Sequence, residues 1–222
     1  MNNLSFDGAL PIDNSISFGS YCPIDLSGSN KDLDSFDTTS SSEWEAYVES
    51  HLQKNKAKVA YGGYLEVRNL YDRSDYFQAV DAESKRNIHL GIDYWCEAST
   101  HVCAIFDGTV HSFKNNTNYG DYGPTIILEH QENGMKFYSL YGHLSLASIE
   151  SITVGDKIGK GENFAQLGDA AVNGDYAPHL HFQIIKDLQG NYGDYPGVSS
   201  KKNLEFYSKN CPNPLNYIKK NA

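Results

Sequence analysis

Short apolar stretches recur along the chain after residue 62, and most of them alternate apolar with polar positions. They are separated by Gly, Asn, Asp or Pro and read GYLEVRNLY, RNIHLGIDYW, HVCAIFDGTVHSF, PTIILEHQ, MKFYSLYGHL and HLHFQIIKD. Alternation with a period of two residues is typical of β-strands, and frequent tight turns favour a compact sheet. The pattern therefore predicts a mainly β fold, an antiparallel β-sheet sandwich or folded barrel.

One short amphipathic helix is predicted before the first of these strands. A run of serines offers a helix cap, acidic residues follow in the first turn, and the helix is expected to end near Lys58, before a pair of glycines. Apolar residues recur at helical spacing within this stretch, at Trp44, Tyr47, Val48 and Leu52.

The composition changes twice along the chain and suggests three parts. Residues 1–59 form an N-terminal arm, rich in Ser, Asp, Asn and Gly, that ends in the short helix. Residues 60–187 hold the strand-like stretches and form the β core. Residues 188–222 are rich in Tyr, Gly and Pro, and we expect them to wrap the sheet and close with a short turn at PNPLNYI.

Charge and composition narrow the possible partners. The formal net charge is −10, which argues against nucleic-acid binding. No apolar run is long enough to predict a membrane span. The N-terminal residues lack the basic start and apolar run of a secretory signal, so we expect a cytoplasmic protein, or a secreted or periplasmic one if the sequence begins after a leader. The four cysteines are predicted to be buried free thiols.

The stretch RNIHLGIDYW places a histidine and an aspartate four positions apart. Read as one strand, it directs His89 and Asp93 to the same face, while Leu90 and Ile92 enter a core. For such a stretch alone, an ordinary half-buried strand is the simpler interpretation.

The stretch PHLHFQ changes that interpretation, because it holds two histidines separated by a single leucine. On a helix, residues two apart point about 200° from each other, whereas on a strand they lie side by side. His179, His181 and Gln183 then line one face of a strand. Buried imidazoles and a carboxylate need partners, and a metal ion would provide one.

A catalytic zinc usually takes three protein ligands and leaves a fourth position for water. His89, Asp93 and either His179 or His181 satisfy that count, and spacing alone does not choose between the last two. His143 follows a strand-like run and a glycine, where a loop would present it over the sheet. The remaining histidines have no motif and are interpreted as surface or turn residues: His51, His101, His111 and His130.

Three motifs in order resemble the lysostaphin-type (LytM-like) zinc metallopeptidases. They are the HLGID of residues 89–93, the YGHL of residues 141–144 and the HLHF of residues 179–182. The stretches DGTV and VGDKIGKGENFAQLG also resemble core strands of that family, so that the likeness covers about residues 60–187. It implies a mostly antiparallel β fold and the cleavage of peptide bonds in bacterial cell-wall cross-links, commonly next to glycine.

The resemblance also implies a role for each matched residue. His89, Asp93 and His181 would hold one Zn²⁺ per chain. His143 and His179 would act on the water at the metal and on the developing oxyanion. The division of labour between these two histidines stays open.

Several finer expectations accompany the resemblance. Tyr141 and Arg68 are candidates for substrate binding, although an ion pair is the simpler role for Arg68. The substrate would be a peptide, derived from peptidoglycan or otherwise small. The terminal segments resemble those of LytM-like domains fused to class III aminotransferases or kinase-like domains, which suggests an association with metabolic enzymes.

Two other functions use the same residues. A non-haem iron oxygenase would bind iron through the same His, Asp and His set, and metal analysis separates it from a zinc enzyme. A non-catalytic peptide or cell-wall binding module would keep the fold but would be expected to lose ligands.

Overall fold

The computed structural model describes residues 7–74, 77, 81–132 and 134–218. Within these ranges it contains twelve β-strands and three α-helices. The strands are β1 (Tyr21–Pro23), β2 (Val59–Gly62), β3 (Arg86–His89), β4 (Ile92–Trp95), β5 (His101–Cys103), β6 (Gly108–Asn116), β7 (Gly123–Glu132), β8 (Met135–Gly142), β9 (Lys157–Ile158), β10 (Asn163–Gln166), β11 (His179–Ile185) and β12 (Val198–Ser200). The helices are α1 (Ser41–Asn55), α2 (Leu146–Glu150) and α3 (Leu204–Asn210).

Eight of the strands form one large sheet, in the order β1-β2-β4-β11-β8-β7-β6-β9. The β1–β2 pair is parallel and the other pairs are antiparallel, so the sheet is mixed. Two small sheets pair β10 with β5 and β12 with β3. The mainly β prediction is confirmed, but the large sheet stays open between its edge strands and does not close into a barrel.

The main hydrophobic core lies on one face of the large sheet. Strand β11 contributes Leu180, Phe182 and Ile184 to it, and these side chains are fully buried. The alternate residues of β11 point to the opposite face, which carries His179, His181 and Gln183. All seven residues of β11 are buried, because both faces of this central strand are covered. The polar face is therefore an interior surface.

Helix α1 confirms the predicted amphipathic helix and packs beside the polar face. Its cap is Ser40, whose hydroxyl accepts a hydrogen bond from the Glu43 amide. The helix ends at Asn55, earlier than expected, because Lys56 adopts the left-handed conformation with φ 52°. Trp44 on its buried side stacks on Trp95 of β4, with ring centroids 6.3 Å apart.

Two helices were not predicted from the sequence, and both are short. Helix α2 has five residues and α3 has seven, which is too few to establish a helical period over a window of about 11–18 residues. The expected closing turn is present as the 3₁₀ helix Pro214–Asn216. The three-part division of the chain stays a prediction, and residues 1–6 of the arm lie outside the described residues.

The cysteines and the helix lengths bear on two further expectations. Cys22, Cys96, Cys103 and Cys211 are buried with free thiols. Among the residues that the structure describes, no helix has the length and apolar character needed to cross a membrane.

Candidate active site

Strand register brings three of the predicted site residues, Asp93, His179 and His181, to the polar face of the sheet, and His89 reaches it from another sheet. His181 lies opposite Asp93 on β4 and opposite Gly142 at the end of β8. His179 lies opposite Trp95, two residues from the His181–Asp93 pair in the same β11–β4 ladder. His89 ends β3, which belongs to a different sheet. Asp93 of HLGID and His181 of HLHF therefore meet across paired strands, and His89 joins them from β3.

The HLGID stretch is not one strand, as the sequence suggested, but two strands with a break between them. Leu90 leaves the β3 ladder and its amide donates to the Gly197 carbonyl at 2.8 Å. Leu90 and Ile92 consequently enter different hydrophobic clusters rather than one core. The break turns the chain so that His89 still faces Asp93.

Gly91 sits at this break because a larger residue would not fit. A Cβ atom there would lie 2.6 Å from the Phe182 carbonyl oxygen and 2.8 Å from Cε1 of His181. Both distances are shorter than a non-bonded carbon contact allows. The glycine of HLGID therefore lets the strand pass close to the His181 ring.

Three potential metal-ligating atoms converge at the meeting point. The Nε2 atom of His89 lies 2.8 Å from Nδ1 of His181, and each nitrogen lies 3.2 Å from Oδ1 of Asp93. The three residues are 1–3% exposed. They form a group of donor atoms of the size and type that holds a metal ion.

In His89 and His181, one ring nitrogen faces the other ligating atoms (the inner nitrogen) and the second points away from them (the outer nitrogen). Each outer nitrogen is hydrogen-bonded to an acceptor. Nδ1 of His89 donates to the Gly63 carbonyl at 2.9 Å. Nε2 of His181 donates to Oε1 of Gln183 at 3.0 Å, and the amide of Gln183 is fixed because its nitrogen donates to the Pro196 carbonyl. In neutral imidazoles this leaves a lone pair on each inner nitrogen. Two lone pairs and a carboxylate oxygen then face one another.

The charge states agree with that arrangement. Burial lowers the pKa of His89 to about 4, although the Asp93 carboxylate acts in the opposite direction. Burial alone would raise the pKa of Asp93, but the neighbouring His89 and Arg68 outweigh it and hold that pKa well below its usual range. A neutral imidazole and an ionised carboxylate are the forms that bind metals.

Arg68 occupies the second oxygen of Asp93. Its Nη1 donates to Oδ2 of Asp93 and its Nε donates to Oε2 of Glu66, both at 2.5 Å. Both side chains of the Arg68–Asp93 pair are 2% exposed. Burial would lower the pKa of Arg68, but Asp93, Tyr71 and Glu66 raise it above its usual value. The buried Arg68 therefore forms ion pairs with Asp93 and Glu66, as the simpler interpretation of this residue expected.

His143 and His179 lie beside the three ligating atoms and contact each other. Their ring centroids are 4.1 Å apart. Nδ1 of His143 donates to the Asn173 carbonyl at 2.7 Å, and Nδ1 of His179 donates to the Ala177 carbonyl at 2.8 Å. Both rings therefore keep an unprotonated Nε2, and both line the same cavity.

Local backbone and aromatic packing hold these two histidines in place. His143 has a left-handed backbone with φ 61°, an uncommon conformation for a residue other than glycine. His179 stacks on Trp95 with centroids 4.0 Å apart and an interplanar angle of 15°. Burial lowers the pKa of His179 to about 4 and that of His143 well below its usual range. Both rings are neutral bases at neutral pH.

Tyr141 does not reach the site. It lies on the core face of β8, is fully buried, and its hydroxyl accepts a hydrogen bond from the Ile105 amide at 3.2 Å. Strand alternation explains this position, because Tyr141 precedes the Gly142 that faces His181. The structure therefore places Tyr141 away from the cavity, whereas Arg68 lines it.

Of the four histidines interpreted as surface or turn residues, His130 is an exception. It is 1% exposed, donates from Nδ1 to the Asp107 carbonyl and accepts at Nε2 from the Ser139 hydroxyl. Its surface assignment is therefore wrong, because β7 lies inside the sheet and Ser139 on β8 supplies a polar partner. His101 is exposed, and His51 and His111 are partly exposed.

A cavity of about 190 Å³ joins the ligating atoms to the two neutral histidines. Several residues around this cavity were not predicted from the sequence. Trp95 is two residues after Asp93 on the same face, so the period of two was a usable signal. Tyr122, whose hydroxyl lies 3.4 Å from Nε2 of His181, had no motif to mark it. Gly63, whose carbonyl accepts a hydrogen bond from His89, likewise has no local signal, since its role comes from pairing with a distant segment.

Comparison with known families agrees with this geometry. The model of peptidase family M23 matches residues 87–194, which include the five residues of the site. No curated protein matches the chain at the significance required.

Solved structures of peptidases resemble the chain at low sequence identity. A Pseudomonas aeruginosa protein assigned to peptidase M23 is 21% identical with a TM-score of 0.39, over 60% of this chain and 45% of that one. The catalytic domain of lysostaphin from Staphylococcus simulans is 22% identical with a TM-score of 0.38, over 69% and 94%. The catalytic domain of the prophage-encoded M23 protein EnpA from Enterococcus faecalis, solved as a point mutant, is 22% identical with a TM-score of 0.39, over 55% and 85%.

The chain thus spans less than half the length of the Pseudomonas protein. All three TM-scores lie below 0.5, so the family assignment rests on the match over residues 87–194. That match assigns residues 87–194 of the chain to peptidase family M23.

Proposed function

We propose that the chain is a zinc-dependent endopeptidase that hydrolyses peptide bonds in peptidoglycan-type or other small peptides. One observation carries the proposal: the inner nitrogens of His89 and His181 and Oδ1 of Asp93 face one another at 2.8–3.2 Å in the protein interior. Lone pairs packed this closely in the protein interior repel one another unless a cation lies between them.

The residues fit a zinc ion by distance as well as by type. Zinc bonds of about 2.0–2.1 Å in a tetrahedral site separate neighbouring ligand atoms by about 3.3 Å. The observed separations of 2.8, 3.2 and 3.2 Å are close to that value. Three protein ligands of this kind would leave a fourth position for water or substrate.

The bound zinc would supply a Lewis acid and lower the pKa of a water ligand to about 7. His143 and His179 would then handle protons at their Nε2 atoms. An unprotonated Nε2 accepts a proton from the attacking water, and the same atom returns it to the leaving amine. In its protonated state it also donates a hydrogen bond to the developing oxyanion.

The size of the cavity favours a small or extended peptide over a bulky one. Its volume of about 190 Å³ lies below the roughly 300–1,000 Å³ of sites that hold drug-sized ligands. Among the described atoms, Nη2 of Arg68 is buried without a hydrogen-bond partner. It supports the prediction that Arg68, besides pairing with Asp93, offers a donor to a substrate oxygen.

Metal content tests the proposed site. Wild-type protein purified without chelator should contain about one zinc per chain, and Asp93→Ala should contain almost none. Asp175→Ala is a matched control, since Asp175 also pairs with a buried arginine, Arg73, but lies beside no histidine pair. Absence of zinc from the wild type, or equal zinc in wild type and Asp93→Ala, would contradict the proposed site.

Hydrolysis tests the roles of the two neutral histidines. His179→Ala and His143→Ala should keep zinc but lose the release of amines from a panel of glycine-containing cell-wall peptides. His130→Ala is the control, because it also removes a buried histidine but lies outside the cavity. Unchanged hydrolysis in His179→Ala would refute its assigned role.

The same measurements separate the two alternatives. An iron oxygenase would carry iron after anaerobic purification and would consume oxygen. Neither iron binding nor oxygen consumption would require His143 or His179. A binding module would retain peptides without cleaving them, even with zinc present.

A further inference from the structure

The segment Gly63–Arg68 lies beside the metal-ligating residues but outside the residues matched by the family, 87–194. It runs antiparallel to β3. The Leu65 amide donates to the His89 carbonyl, the His89 amide donates to the Glu66 carbonyl, and the Arg68 amide donates to the Asn87 carbonyl, all at 2.9 Å. The backbone of the segment is therefore fixed relative to His89.

From this position the segment contacts two of the three ligating residues. The Gly63 carbonyl accepts from Nδ1 of His89, and Arg68 donates to Asp93. Gly63 has φ 107°, and an added Cβ there would lie 2.8 Å from Nδ1 of His89. Only glycine combines this backbone with the close approach.

Arg68 binds one carboxylate oxygen of Asp93 and leaves the other free to face the histidines. Oδ2 is taken by Nη1 of Arg68 at 2.5 Å, which leaves Oδ1 to face His89 and His181. The guanidinium is held from its other side, because its Nε donates to Glu66. Glu66 is itself anchored, since its Oε1 accepts from the Leu26 amide at 3.1 Å.

We propose that Arg68 is a positioning residue of the metal centre, which fixes the Asp93 carboxylate so that only Oδ1 is offered to the metal. The inference rests on the proposed zinc site and adds to it a residue outside the family match. Arg68 acts through Asp93 and Glu66 acts through Arg68. Outer-shell partners of this kind orient the ligand and tune its strength.

Arginine is suited to this task and lysine is not. The planar guanidinium presents Nη1 and Nε in fixed directions and thus bridges Asp93 and Glu66 together. A lysine keeps the charge but is a point donor on a flexible stem, so it cannot hold both carboxylates in the same geometry. The comparison of Arg68→Lys with wild type therefore separates geometry from charge.

Zinc affinity is the first test, measured by competition with a chromophoric chelator. We expect Arg68→Lys to bind zinc about 10-fold more weakly and Arg68→Met up to about 100-fold more weakly than wild type. Glu66→Gln, which loosens the guanidinium without touching Asp93, should fall between wild type and Arg68→Met. Arg73→Lys is the matched control, since Arg73 is a buried arginine paired with Asp175 and should leave zinc affinity unchanged.

Cobalt(II) substitution is the second test and does not depend on activity or on folding stability. A changed carboxylate geometry in Arg68→Lys should alter the visible absorption bands of bound cobalt, whereas Arg73→Lys should give the wild-type spectrum. If folded Arg68→Lys and Glu66→Gln keep both wild-type zinc affinity and the wild-type cobalt spectrum, the inference is overturned. Wild-type protein that binds no zinc would instead overturn the proposed function.

Discussion

Replacing Gly91 by alanine is the sharpest test of how the HLGID motif forms the site. Gly91 is buried between His89 and Asp93, and no left-handed backbone is needed there. The expected effect is therefore steric. The new Cβ would lie 2.6 Å from the Phe182 carbonyl oxygen and 2.9 Å from Nε2 of His181.

The required displacement follows from these distances. Carbon and oxygen in non-bonded contact are usually about 3.3 Å apart or more, so relief from 2.6 Å needs a shift of about 0.7 Å. The Phe182 carbonyl cannot give way easily, because Phe182 pairs with Ile92 in the β4–β11 ladder. The shift must come from β4 or from the His181 ring, and both carry ligating atoms.

Two measurable losses should follow from that shift. Overpacking of a close-packed interior costs about 1–3 kcal/mol of unfolding free energy. A displacement of about 0.7 Å also exceeds the tolerance of about 0.2 Å for metal–ligand distances. We therefore expect zinc affinity to fall by at least the roughly 10–100-fold seen when the support of a ligand is removed.

Urea unfolding of the metal-free protein measures the first loss, and chelator competition measures the second. Gly19→Ala is the control, because its nearest neighbour would be the Ser17 hydroxyl oxygen at 3.8 Å and the site is exposed. It should be neutral or stabilise by up to about 1 kcal/mol. Wild-type zinc affinity in Gly91→Ala would refute the steric explanation of the motif.

Three further substitutions test other parts of the structure. Gln183→Leu should weaken zinc binding about 10–100-fold, since it removes the acceptor that fixes His181. It should also lower the free energy of unfolding by about 1–3 kcal/mol, because the Pro196 carbonyl loses its donor. Chelator competition and urea unfolding measure the two effects, and unchanged zinc affinity would contradict the assigned contact. Burial lowers the pKa of His130, so the unfolded chain binds more protons below pH about 6.5 and folding stability falls as the pH drops from there. His130→Gln should therefore lose less stability than wild type between about pH 7 and pH 5 in urea unfolding, and an equal loss in both proteins would contradict this reasoning. Lys56→Gly should raise the free energy of unfolding by about 1 kcal/mol, because glycine adopts the left-handed helix end without steric cost, and no gain in urea midpoint would count against that cause.

Period-two patterning explains why much of the site was predictable. On β11 it directs His179 and His181 to one face and Leu180 and Phe182 to the other, and the structure agrees. The same rule predicted that His89 and Asp93 of HLGID point to the same side, and they do, but it assumed that the stretch is a single strand. The facing comes from a break between two strands, which alternation alone does not reveal.

The supporting contacts depend on pairings between distant segments, which no local pattern encodes. Gly63 and Arg68 reach the site because their segment pairs with β3, and Gln183 is fixed by Pro196. Tyr141 was expected at the cavity because it belongs to a motif, yet alternation places its side chain in the core. Motif membership identifies a segment, whereas register decides which of its side chains reach the site.

The burial of a polar face is the feature that connects this fold to a metal. Removing imidazoles and a carboxylate from water costs free energy unless each polar atom finds a partner. Around this site the outer nitrogens have carbonyl or amide acceptors, and Oδ2 of Asp93 has an arginine. The inner nitrogens of His89 and His181 and Oδ1 of Asp93 meet only one another. This combination of a satisfied periphery and three converging ligand atoms at the centre is the physical reason for the cation that we propose there.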